Sequence, residues 1–132
     1  MNKNLPTENE EKILVVDDNE MVAIVTERGL KMFGYKTDVF LSPIEALEFF
    51  KENRDKIDLV LTDLKMPGMN GEELAAKIRK ICAEIPIIFM TGTPHEMESS
   101  DEIVLGKPFS IEVLQNTVRE ILDVVVAEKE EN

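Results

Sequence analysis

The chain has 132 residues, 43% apolar and 32% charged, with a net charge of −12, which suits one domain with a core of ordinary size and a well-solvated surface. No apolar run approaches the ~20 residues of a membrane span, the first twelve residues lack a signal-peptide core, and the acid excess repels phosphate backbones, so a membrane segment, a secretory leader and direct nucleic-acid binding are not expected. The single cysteine rules out an intrachain disulfide and points to a cytoplasmic location.

In chain order, residues 1–11 are polar and read as a disordered N-terminal tail. "ILVV" (13–16) is an apolar run that stops at two adjacent carboxylates, Asp17 and Asp18. Residues 20–33 have helical spacing, with Val22, Val25 and Leu30 on the repeating face. "TDVFL" (37–41) reads as a second strand. "SPIEALEFFKEN" (42–53) opens as a capping box, with Ser42 at the N-cap, Pro43 in the first turn and Glu45 reaching back. "LVLT" (59–62) ends on Asp63 and runs into a turn rich in Pro and Gly. Residues 70–82 form a helix with Asn70 as N-cap, Glu73 three residues on, and Leu74, Ile78 and Ile81 on one face. "PIIFM" (86–90) ends on Thr91, and "IVL" (103–105) ends on Gly106 and Lys107. A last helix, 110–127, turns Ile111, Leu114, Val118, Ile121, Leu122 and Val125 inward, and 128–132 is a solvated tail.

Strands alternating with helices predict an α/β fold, a doubly wound five-stranded parallel sheet. The near-continuous apolar first, third and fourth strands suit burial on both faces. The common small order is 2-1-3-4-5 (flavodoxin-like), with ligands at the carboxyl ends of the strands, beside the switch point between strands 1 and 3. At that edge the sequence places Asp17, Asp18, Asp63, Thr91 and Lys107.

Three carboxylates brought together repel one another and call for a counter-charge. Lys107 supplies one, and a hard divalent cation, Mg²⁺ or Mn²⁺, supplies more. A carboxylate is a competent nucleophile for phosphorus, and a cation, a lysine and a threonine hydroxyl suit the charge of a transferring phosphoryl group. Taken alone, Asp17 and Asp18 also read as the cap and first-turn acid of the next helix. Cys82 reads as core packing, His95 as an exposed loop residue and the methionines as gap-fillers.

"VVDD", "LTDLKMPGMNG", "MTG" and "KPF", in that order at four successive strand ends, resemble the receiver domains of two-component response regulators, the CheY-like family. The resemblance spans about residues 12–126, and 12–127 is taken as the receiver domain. It implies that Asp63 is the phosphoacceptor and that the donor is a histidine kinase or a histidine phosphotransfer domain. Asp18 and Asp63 would hold Mg²⁺ with the backbone carbonyl of Lys65, Asp17 acting mainly through water. Lys107 and Thr91 would contact the phosphoryl group, and the Lys107–Pro108 bond would be cis. The domain would be a signalling module, not an enzyme beyond its own phosphotransfer and autodephosphorylation.

Two departures stand out. Where receivers usually carry an aromatic residue, three positions before the lysine, this chain has Val104. Only twelve residues, 91–102, separate the fourth and fifth strands, and Met97 is the one clearly apolar residue in 95–101. Helix 4 is therefore expected to be short or missing, and the chain to stay a monomer on activation. The rival readings are a receiver-shaped protein-binding module that signals without phosphorylation, an aspartate-nucleophile phosphatase (disfavoured by Lys65 two residues after Asp63) and a flavin or dinucleotide binder (disfavoured by the absence of a Gly-rich loop after strand 1).

Overall fold

A computed structural model of the chain describes residues 10–130. Five strands, β1 (Lys12–Val16), β2 (Lys36–Phe40), β3 (Leu59–Asp63), β4 (Ile87–Thr91) and β5 (Ile103–Gly106), form one parallel sheet in the order β2-β1-β3-β4-β5. Four α-helices cover it: α1 (Glu20–Met32), α2 (Pro43–Asn53), α3 (Gly71–Ile81) and α4 (Ile111–Glu130). The predicted fold class and strand order are those observed.

Strand alternation divides the core into two layers. Leu14, Val16, Val60, Ile87 and Phe89 face Ala46, Phe50, Leu74 and Ile78 of α2 and α3. Their neighbours Ile13, Val15, Leu61, Ile88 and Met90 face Leu30 of α1 and Leu114, Val118 and Leu122 of α4. Successive residues of β1, β3 and β4 thus point to opposite buried faces, which is why those strands read as unbroken apolar runs.

The caps follow the sequence, with one difference. Asn70 and Glu73 close a reciprocal capping box on α3, and Ser42 accepts the Glu45 backbone N–H at 3.2 Å. Glu45 does not return a bond to Ser42, so α2 has only half of the box. Ser110 caps α4 through the Val113 N–H at 3.1 Å.

Several readings need correction. Val25 is 52% exposed, and α1 instead buries Ala23, Thr26, Gly29 and Leu30. The reason is close packing: a Cβ on Gly29 would lie 3.3 Å from Ile111 of α4, so small residues form the inward face. Ile111 itself is more than a third exposed. Met66, Met90 and Met97 do fill the core, but Met21 and Met32 are exposed. Helix α4 runs to Glu130, past the boundary placed at 127. Residues 1–9 of the predicted tail lie outside the described residues, as do 131 and 132. Glu11, counted in that tail, is held by Arg119 of α4 at 2.8 Å.

Between β4 and β5 there is no α-helix. Pro94–Met97 makes one 3-10 turn, in keeping with the short connection. Met97 is 6% exposed and plugs the α2–α3 core layer, where Val104 is partly buried. A bidentate pair spans the gap: Arg79 of α3 donates two hydrogen bonds of 2.8 Å to Glu102, just before β5. Among the described residues no helix is long and apolar enough to cross a membrane.

Candidate functional site

The parallel ladder carries β1 and β3 side by side, so the residues at their carboxyl ends meet. Asp17 directly follows β1. Its backbone N–H still donates to the Phe40 carbonyl at 3.1 Å, and its side chain is wholly buried. Asp17 Oδ1 accepts the Asn19 N–H at 2.9 Å, and Oδ2 accepts Lys107 Nζ at 2.9 Å. Asp18, next along, faces solvent.

Asp63 is the last residue of β3 and 9% exposed. Both of its contacts fall on one oxygen: Oδ1 accepts the Leu64 N–H at 2.8 Å and lies 3.3 Å from Lys107 Nζ. Oδ2 is left for chemistry. One carboxylate oxygen each from Asp17, Asp18 and Asp63 lie within 4.8 Å of one another. Burial first, and then the Asp17 carboxylate, push the Asp63 carboxyl above the usual carboxylate range; Lys107 and the Leu64 N–H oppose this without cancelling it.

Lys107 follows β5, and its backbone N–H donates to the Thr91 carbonyl at 2.7 Å. That bond extends the β4–β5 pairing by one residue and aims the ammonium across the site. The Lys107–Pro108 peptide is cis, as the resemblance implies.

The turn after Asp63 folds back on the strand it leaves. Gly68 takes a positive φ of 84°, and the Gly71 N–H donates to the Leu64 carbonyl at 2.7 Å. A side chain has no room at Gly71, since its Cβ would overlap the Asp63 carbonyl oxygen and lie 3.0 Å from Leu64 Cα. The start of α3 is thereby locked against the backbone of Asp63. On the turn, Lys65 is exposed, and its ammonium pairs with Glu96 at 3.1 Å.

Thr91, the last residue of β4, is buried. Its hydroxyl does not reach into the acid cluster. It accepts the Thr93 N–H at 3.0 Å and lies 3.1 Å from Thr93 Oγ1. His95 is exposed on the 3-10 turn, and Cys82 packs at the rim of the core, as read.

The structure thus brings together Asp17, Asp18, Asp63 and Lys107, and places Thr91 and Lys65 at the rim. Sequence reasoning missed Thr93, Glu96 and Arg79. Only the first leaves a local trace: two threonines two residues apart directly after a strand suit a side-chain turn. A cleft of about 590 Å³, lined in part by Asp55, Ile57, Ile85 and Leu122, lies at the opposite end of the sheet and shares no residue with this cluster.

The donor set fits a hard cation: three carboxylates, one of them exposed, converge with few hydrogen bonds to satisfy their negative charge. The chemistry available is nucleophilic attack by a partly desolvated carboxylate, with a cationic side chain beside it.

Comparison with known proteins bears on this geometry. The family model described as "Response regulator receiver domain" matches residues 13–119. The chain is 33% identical over 118 residues to sporulation initiation phosphotransferase F of Bacillus subtilis, covering 85% of this chain and 94% of that protein. It is 32% identical over 117 residues to sensor kinase CckA of Brucella abortus, covering 84% of this chain but spanning only 12% of that longer protein. Among solved structures, the receiver domain of sensor histidine kinase PA1611 from Pseudomonas aeruginosa superposes with a TM-score of 0.78 at 25% identity, covering 87% of this chain and 99% of that one; it carries a magnesium ion coordinated in its active-site cleft.

Proposed function

Since the chain belongs to the response regulator receiver domains of two-component systems, we propose that it accepts a phosphoryl group on Asp63 from a phosphohistidine of a histidine kinase or phosphotransfer protein. The observation that carries this reading is the state of Asp63: nearly buried, with Oδ1 engaged and Oδ2 free beside two further carboxylates and one lysine.

In the proposed step, Asp63 Oδ2 attacks phosphorus. The O–P bond forms as the P–N bond of the donor breaks, and the departing imidazole keeps the electron pair and takes up a proton. Lys107, already between Asp17 and Asp63, moves its contact with Asp63 Oδ1 to a phosphoryl oxygen while Asp17 retains it. Thr91 supplies a hydroxyl donor at the rim. A divalent cation, Mg²⁺ with Mn²⁺ as a substitute, would be held by Asp17, Asp18, Asp63 and the Lys65 carbonyl, and supplies positive charge to the transferring group. The family is one of signalling domains rather than classical enzymes. The acid-rich chain acts as a cytoplasmic monomer in this reading.

The test is incubation of the chain with acetyl phosphate and Mg²⁺, followed by intact-mass measurement. One alkali-labile phosphoryl group is expected in wild type and none in Asp63→Asn. Equal labelling of Asp63→Asn would overturn the assignment. A wild-type chain that never labels, from acetyl phosphate or from a phosphorylated histidine partner, would favour the non-phosphorylated binding module.

A further inference from the structure

Helix α4 outlasts the sheet it covers. Leu122, Val125, Val126 and Lys129 follow one another at three, one and three residues, so they share one face of its last turns. All four line the cleft at the edge of the sheet opposite the acid cluster. Leu122 is 3% exposed, Val125 half-buried and Val126 47% exposed. The apolar spacing thus continues past the point where the domain stops covering it. Across the cleft stand Ile57, just before β3, and Ile85, just before β4. A volume of about 590 Å³ is that of a recess able to take several side chains.

The rim of this recess is mostly acidic. Among the described residues, Asp55 and Asp58 stand before β3, Glu84 before β4, Glu11 before β1 and Glu128 on α4, against the cations Arg54 and Lys129. Arg119 offsets Glu11 at 2.8 Å. Asp58 accepts the Lys12 backbone N–H at 2.9 Å, a bond that leaves its charge in place. The balance stays negative, on a chain of net charge −12. Such a rim repels anions and acidic peptides. A second copy docked by two-fold symmetry would bring the same acids to meet these, like charge against like. What the recess suits is a cation that carries its own apolar face.

We propose that this cleft is a docking site for a basic amphipathic helix of a partner protein, seated against the uncovered face at the end of α4. The apolar side chains of that helix cover Val125 and Val126 and point towards Ile57 and Ile85, while its flanking Lys or Arg residues meet Asp55, Asp58 and Glu84. Helix-in-groove recognition takes its anchors from helical spacing, and flanking charge sets partner choice. The site shares no residue with the acid cluster, so it goes beyond the phosphoacceptor reading and does not depend on it. A partner held here leaves the opposite edge of the sheet open to a phosphoryl donor.

Three synthetic helical peptides of equal length test this: a Leu/Lys amphipathic peptide, a Leu/Glu peptide with the same apolar face, and a Ser/Lys peptide with the same charge. Fluorescence anisotropy with the full chain reads affinity, and amide NMR reads the place. The Leu/Lys peptide should bind at least about tenfold more tightly than either of the others and shift the amides of Ile57, Ile85, Val125 and Val126. Asp55→Lys with Glu84→Lys, both exposed, should weaken it about tenfold. Glu45→Lys with Glu112→Lys makes the same charge change in the first turns of α2 and α4, at the other edge of the sheet, and should weaken it less than about threefold. Val126→Gln should weaken it about three- to fivefold. Equal loss from both charge pairs, or equal binding of the Ser/Lys peptide, would reduce the effect to net charge and overturn the site. Amide shifts confined to other faces, or no binding of the Leu/Lys peptide, would overturn it too. Binding that appears only after residues 1–9 are deleted would make the chain's own first segment the occupant. A dimer in light scattering that Val126→Gln dissolves would make it a second copy. Either result overturns the partner helix.

Discussion

The two connections that flank the acid cluster are built in opposite ways. The turn from Asp63 to α3 is locked: Gly71 has no room for a side chain, the Gly71 N–H reaches back to Leu64, and a capping box closes the helix start. The connection from Thr91 to β5 has one 3-10 turn, one buried side chain and one bidentate ion pair. The first fixes where the reacting carboxylate stands. The second has little holding it beyond side-chain bonds, which is the condition for a segment that changes with the state of the site.

The largest effect is expected from removing a group on the rigid side. Lys107→Met leaves Asp17 wholly buried with its Oδ2 unpaired; with Lys107 itself about one-fifth exposed, a loss of about 3 kcal/mol is expected in the metal-free protein. Urea unfolding with and without Mg²⁺ checks it, and added Mg²⁺ should recover part of the loss. Gly71→Ala should cost about 2–3 kcal/mol, because the backbone of Asp63 must move to admit a methyl group. It should also weaken Mg²⁺ binding, which calorimetry reads directly. Met97→Ala removes the plug from the lightly held side and should cost about 2 kcal/mol. A cost equal to that of Lys107→Met would mean the two connections are held alike. Arg79→Met should cost only about 1 kcal/mol, since both partners are partly exposed, but should raise hydrogen exchange across 94–102 without affecting β3.

The smallest effect concerns pH, and its sign is opposite. Burial first, and then the Asp17 carboxylate, hold the Asp63 carboxyl above the ordinary carboxylate range. Between the unfolded value and the raised folded one, the folded state binds more protons than the unfolded state. Stability therefore falls as pH rises through that window, and the penalty is fully present above the folded value. Asp63→Asn removes the penalty, so the metal-free variant should melt at a higher temperature than wild type at neutral pH and at nearly the same temperature in acid. Saturating Mg²⁺ should narrow the neutral-pH difference, because the cation stabilises the ionised cluster.

What could be read in advance follows the same division. Asp17, Asp18, Asp63 and Lys107 were placed correctly because strands of a parallel sheet end at one edge, so position along the chain translates directly into position in space. The missing helix was readable from length and from the lone Met97. Side-chain partners were not. Arg79 and Glu102 are 23 residues apart and Lys65 and Glu96 31 apart, and nothing local pairs them. Val25 misled because helical spacing identifies an apolar stripe without saying whether a neighbouring helix leaves room for it; with Gly29 pressed against Ile111 and Leu114, the small residues won the inward face.

Arg119 also bears on how the chain acquires its fold. It reaches from α4 to Glu11 across 108 residues of sequence and stacks over the Tyr35 ring with its guanidinium carbon 5.9 Å from the centroid. Beneath it, Leu114, Val118 and Leu122 cover Ile13 and Val15 of the first strand. Among the described elements β1 precedes all others in synthesis, and although Leu30 of α1 covers part of that face, the rest stays open until α4 has emerged from the exit tunnel. The slow step of folding should accordingly be the docking of α4, a contact of long sequence separation, and a nascent chain stalled before residue 111 should present that strand face to chaperones rather than fold.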